Sequence, residues 1–214
     1  MPKRTKDLLL LSGVVCAAAV SIFLGLAKRP PKINLGTYEA LGAVTAEETA
    51  KLLAGKGRVL VLARDTGPDK NPSVEAQLDV FKRTLRKHAD ISLVIERFTA
   101  TPMLMMATGG SVPPDQLIKA LETHADANVL VLFCGMPPLT DAELETIQRR
   151  RLKTVVVASL RPDSAQLLEQ SIIHLLIAPR PDGPLPDAKK PQTLRELFDQ
   201  DYVVIRAANL LRER

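Results

Sequence analysis

Aromatic side chains are scarce in this chain of 214 residues: no tryptophan, two tyrosines and five phenylalanines, 3% in all. Bases and sugars are commonly held by stacking, so the composition is poor material for either and argues against a nucleic-acid surface. Cysteine is rarer still. Cys16 lies in an apolar stretch and Cys134 far from it, so no disulfide staples the monomer. Glycine-rich phosphate loops are missing. The stretch DTGPDKNP (residues 65–72) holds one glycine and fits neither G-x-G-x-x-G nor the phosphate-loop pattern ending in Gly-Lys-Ser/Thr. The three histidines do not cluster with the cysteines or carboxylates, and no metal or cofactor is expected.

A surplus of positive charge is present, but it is local. The formal net charge is +5 and the isoelectric point about 9.3. Lys3, Arg4, Lys6, Lys28, Arg29 and Lys32 stand against Asp7 alone, which leaves the remainder close to neutral. Between those basic flanks runs LLLLSGVVCAAAVSIFLGLA, 20 uncharged residues from Leu8 to Ala27. As a helix it would be about 30 Å long, the thickness of a bilayer's hydrocarbon core. An uncleaved signal-anchor is the leading expectation. A cleaved signal peptide and a buried core helix are the alternatives. The flanks carry equal positive charge, so orientation rests on the habit of short N-terminal tails to stay inside. That places the body of the chain outside the cytoplasm, on the periplasmic side of an inner membrane. The expected organisation is a basic tail (1–7), a transmembrane helix (8–27), a linker (28–42) opened by Pro30-Pro31, and one α/β domain (43–214).

Within that domain apolar and amphipathic stretches alternate. RVLVLA (58–63), ISLVIERF (91–98), NVLVLF (128–133), KTVVVA (153–158), IIHLLIA (172–178) and YVVIR (202–206) read as strands. Helices are predicted between them. Thr45 to Glu48, Thr140 to Glu143 and Thr193 to Glu196 each have the hydroxyl-x-x-carboxylate spacing of a capping box. Asn71-Pro72 opens a helix whose inner stripe is Val74, Leu78, Phe81, Leu85 and His88. Pro113-Pro114 opens another, with Leu117, Ile118 and Leu121 inward, and Asp163 caps a short one. Thr99–Ser111 is expected to be an apolar, flexible loop, and Pro179–Pro191 a surface loop. Strands apolar on both faces and separated by helices predict a doubly wound, mostly parallel sheet of five to six strands, Rossmann- or flavodoxin-like.

The order of residues carries a resemblance. VLARDTGPDKNPSVEAQLDVFKRTL, followed by PPDQLIKALETHADANVLVLFCGMPPLTDAELETIQRRRLKTVVVAS, resembles the N-terminal lobe of type I periplasmic binding proteins. The resemblance implies a ligand held between two lobes. The residues after Ser159 are too few for a second full lobe, and Ser73 stands where sugar binders of the family commonly place an aromatic ring.

Open α/β sheets bind ligands outside the carboxyl ends of their strands. Those ends offer Asp65, Thr66, Cys134 and Ser159, joined by Asn71 at a helix start. Each is also of a type that serves turns, caps or cores. Met103, Met105 and Met106 form a compositional oddity that suits a core edge or a partner surface. No nucleophile–base pair or paired carboxylate emerges, so no enzyme is expected. Two functions follow. The first is a single-pass, membrane-anchored, non-catalytic subunit, bound to the bilayer through Leu8–Ala27 and to other membrane-protein subunits through its domain. The second is a tethered receptor for a small ligand.

Overall fold

The structure is a computed structural model that describes residues 34–68, 70–157, 162–181, 183 and 193–207. The apolar run Leu8–Ala27 and Ser159 lie outside the described residues. Among those described, no helix is long and apolar enough to cross a membrane.

The compact unit begins at Leu35. It opens with α1 (Gly36–Leu52) and continues β1 (Gly57–Arg64), α2 (Pro72–Leu85), β2 (Ile91–Phe98), α3 (Pro102–Ala107) and α4 (Pro114–Thr123). Then follow β3 (Val129–Leu132), α5 (Asp141–Arg149), β4 (Lys153–Val157), α6 (Ser164–Glu169), β5 (Leu175–Pro179), α7 (Leu194–Asp201) and β6 (Tyr202–Arg206). The six strands form one sheet in the order β2-β1-β3-β4-β5-β6. All neighbours are parallel except β5 and β6, which run antiparallel.

Each strand divides its side chains between two cores, as the two-residue period requires. Leu60, Leu62, Leu130, Leu132, Val156 and Leu176 pack with Leu117 and Leu121 of α4, Ile147 of α5 and Leu168 of α6. Val59, Val61, Val129, Val131, Val155 and Ile177 pack with α1, with Leu78, Phe81 and Leu85 of α2, and with Phe198 of α7. Burial on both faces is why these strands read as unbroken apolar runs. The chain leaves β1 for β2 on one side and returns for β3 on the other, so the winding reverses between β1 and β3. In doubly wound sheets the loops at such a reversal splay apart, and ligand crevices form there at the strand ends.

Three sequence expectations need correction. The Thr45–Glu48 motif does not start a helix, and residues 36–42 are not linker. α1 begins at Gly36, Thr45 and Glu48 are fully buried inside it, and the Thr45 hydroxyl donates to Leu41 O at 2.6 Å. α1 is lined with alanine, glycine and threonine on every side because α2, α7 and the sheet all press on it, which erases the one-sided stripe that marks a surface helix. Second, Thr99–Ser111 is not an irregular loop. Pro102–Ala107 is helical, with Thr101 accepting from Leu104 N. The turn behind it is locked, as the Thr108 hydroxyl donates to Ser111 O at 3.0 Å and the Ser111 hydroxyl to Thr108 O at 2.6 Å. Third, β5 starts at Leu175 rather than Ile172, and His88 is exposed beyond the end of α2.

Candidate functional site

The crevice is built from the segments that follow β1, β2 and β3. After β1 the chain runs Asp65, Thr66, Gly67, and turns into α2. Asp65 N donates to Phe98 O at 2.9 Å, which extends the β1–β2 ladder by one residue. The Asp65 carboxylate then accepts from Gly67 N at 3.0 Å, an aspartate turn made affordable by the positive φ of Gly67. Thr66 Oγ1 accepts from Asn71 N at 2.9 Å, and Asn71 Oδ1 accepts from Ser73 N at 3.0 Å to cap α2. Asp65, Thr66 and Asn71 therefore share one loop beside the crevice. Each uses one oxygen to hold that loop, and among the described residues the second Asp65 oxygen and the Asn71 amide nitrogen have no hydrogen-bond partner.

Cys134 lies two residues past the end of β3, the strand beside β1, and is partly buried. Burial pushes its thiol up to about 11, against smaller opposing effects from a hydrogen bond with the Val112 backbone and from the Arg64 charge. A thiol so protonated is a weak nucleophile at neutral pH.

Arg64 is the residue at this crevice that sequence reasoning missed. It closes β1, and its Nη2 donates to Gly110 O at 2.7 Å, tying the turn behind α3 to the end of the sheet. Its Nε is buried and has no hydrogen-bond partner among the described residues. A buried guanidinium donor left unmatched is costly unless something accepts from it. The signal was present in the sequence: Arg64 is the first charged residue after five buried strand residues, Val59 to Ala63.

α3 flanks the same edge. Met103 and Met106 are 82% and 85% exposed, while Leu104 and Met105 are half-buried. Met136 does not join them, being 2% exposed inside the core. Among the described residues no group of His, Cys, Asp and Glu gathers as a metal site.

On the far side of the molecule, a carboxylate organises structure rather than a ligand. Glu48 of α1, 1% exposed, meets Lys51 at 2.8 Å, Arg195 of α7 at 3.4 Å and Arg206 of β6. Burial pushes this carboxyl up, but hydrogen bonds from Lys51 and Arg206 outweigh it and hold the group below its ordinary value.

The sequence matches no protein-family profile and no curated protein sequence. Solved structures do match. GanP, a glucose-galactose binding protein from Geobacillus stearothermophilus, superposes with a TM-score of 0.53 at 14% identity, over 81% of this chain and 61% of its own. A solute-binding protein of an ABC transporter from Burkholderia graminis, in complex with D-arabinose, gives 0.52 at 15% identity, over 80% and 60%. A LacI-type transcriptional regulator from Bacteroides fragilis gives 0.53 at 12% identity, over 82% and 61%. The chain thus spans about three-fifths of the length of the proteins it matches. At these identities the likeness is one of fold, and the architecture carried here is that of part of a type I periplasmic binding protein.

Proposed function

We propose that this domain binds a small, oxygen-rich ligand of the monosaccharide class at the crevice between the ends of β1 and β3. The observation that carries the reading is Arg64: a cation at the point where the winding reverses, with a buried Nε that has no described partner. A ligand hydroxyl or carboxylate is the natural acceptor for that donor. The second Asp65 oxygen and the Asn71 amide, without hydrogen-bond partners among the described residues, would receive and donate further hydrogen bonds. The likeness to sugar-binding proteins supports this class of ligand without fixing its identity. No chemical step is assigned, and the Cys134 thiol is too basic to suggest one.

The test is thermal unfolding of the full-length chain with D-glucose, D-galactose and D-arabinose. A ligand at a hundred times its dissociation constant stabilises the native state by about 2.7 kcal/mol, a shift of several degrees. The shift should vanish in Arg64→Met. A flat response to all three sugars in the unaltered protein argues against the monosaccharide class.

A second reading is favoured by α3. A tethered, non-catalytic subunit held in an inner membrane by Leu8–Ala27, its domain facing the periplasm, would have reason to present Met103 and Met106 to a membrane-protein partner. Resistance of the full chain to alkaline carbonate extraction supports the tether. Release of the intact chain by carbonate removes it.

A further inference from the structure

We infer that the open edge of β2 accepts an extended, acidic peptide segment as an added strand, independently of the crevice. β2 is eight residues long and, among the described residues, pairs on one side only, with β1. Gly57 N donates to Asp90 O at 3.0 Å and Asp65 N to Phe98 O at 2.9 Å, at the two ends of this pair. With a two-residue period, even-numbered residues of β2 turn their main-chain groups to β1, and Leu93, Ile95 and Arg97 turn theirs outward.

Edges of this length are normally blunted by proline, lysine or a bulge. The first five residues of β2, ISLVI, carry no charge. The two charged residues that follow are engaged within the domain. Glu96 meets His124 at 3.1 Å, and Arg97 clasps Glu75 at 2.8 and 3.0 Å. Beside the edge runs a groove of about 330 Å³, lined by Leu85, Ile91, Leu93 and Ile95 and bordered by Lys82 and Arg86. Lys82 lies 3.5 Å from Asp79, and the Arg86 side chain has no ion-pair partner among the described residues. An added strand would place alternate apolar side chains in the groove and carboxylates beside those cations.

Charge selects the occupant. A second copy pairing β2 with β2 about a two-fold axis would bring Lys82 and Arg86 against their own counterparts, which is repulsive. The chain's own segments outside the described residues also carry the wrong sign. Residues 1–33 hold six Lys and Arg against one Asp, residues 184–192 hold Lys189 and Lys190 against Asp187, and residues 208–214 hold Arg212 and Arg214 against Glu213. The match is a segment of another protein in which apolar residues alternate with Asp or Glu.

The full-length chain in mild detergent would be titrated with a fluorescent peptide of alternating valine and glutamate, and with its valine–lysine counterpart. The glutamate peptide should bind, bind less at high salt, and slow hydrogen exchange at the Leu93 and Ile95 amides. Lys82→Glu with Arg86→Glu, both outside the core, should weaken it by about tenfold or more. Ile95→Pro removes an outward donor without touching the β1 ladder and should abolish the protection. Equal binding of the lysine peptide, binding of neither, or a concentration-dependent dimer that already protects Leu93 and Ile95 overturns the inference.

Discussion

Gly42 of α1 meets the main chain of α2 at Gln77: a β-carbon built on Gly42 would lie 2.2 Å from the Gln77 carbonyl oxygen and 3.0 Å from its carbon. No relaxation of a side chain relieves a contact with backbone. Two effects compete in Gly42→Ala. Helix propensity favours alanine by about 1 kcal/mol. The clash forces two helices apart over a packed core, which costs about 1–3 kcal/mol and more where the backbone must move. The clash wins, so Gly42→Ala should lower stability by a net of about 1–2 kcal/mol, read as a lower urea midpoint with an unchanged slope. A stabilised variant would show that α1 and α2 are not pressed together here.

Glu48 ties α1 to α7 and β6 through Arg195 and Arg206. Its carboxyl sits below its ordinary value of 4.5 in the folded state. A lowered carboxyl stabilises the fold fully above the unfolded value, and the contribution is lost as pH falls through the folded one. Stability should therefore drop on acidification below about 4.5. Glu48→Gln should flatten that drop and cost about 2 kcal/mol at neutral pH, since the two arginines are exposed enough to rehydrate. Denaturation midpoints measured across this pH range check both parts. A Glu48→Gln variant as acid-sensitive as the parent refutes the assignment.

Cys134 should resist thiol reagents. Its thiol is raised from an ordinary 9.0 to about 11, so its thiolate fraction at neutral pH is about a hundredfold below that of an ordinary cysteine. In a Cys16→Ser background, the alkylation rate of the folded protein should be low and climb with pH through 9 toward 11. A fast reaction near pH 7 would mean that the crevice activates the thiol, and the non-catalytic reading would lose its footing.

What could be read from the sequence depended on whether a signal was local. The bounds of β2 and β6 follow from the sequence to the residue, because a short β-branched, apolar run has few other solutions. Asn71 and Thr140 cap their helices as their spacing requires. The crevice loop with Asp65, Thr66 and Asn71 was legible for the same reason. Arg64 was not, since its importance lies in Gly110, 46 positions away. α1 was missed at its start because its neighbours are α2 and α7, remote in sequence, and their packing replaces the stripe that would have declared it. α3 was missed because it has no buried residue to set a period.

The motif T-x-x-E occurs at Thr45, Thr140 and Thr193, and only tertiary context separates its uses. Thr140 forms a reciprocal box, its Oγ1 accepting from Glu143 N at 3.4 Å while Glu143 Oε2 accepts from Thr140 N at 2.8 Å. Thr193 caps α7 through Glu196 N at 3.1 Å. Thr45 caps nothing, because α1 has already run for more than two turns when it arrives. Threonine-to-valine keeps shape and removes the hydroxyl, so it isolates the difference. Thr140→Val strands a helix-end donor and should cost about 1 kcal/mol. Thr45→Val removes a bond to a carbonyl that stays within the helix ladder, and should cost at most about 0.5 kcal/mol. Chemical denaturation of the two variants decides. Equal losses would mean that Thr45 serves as a true cap and that the helix begins where the sequence alone had placed it.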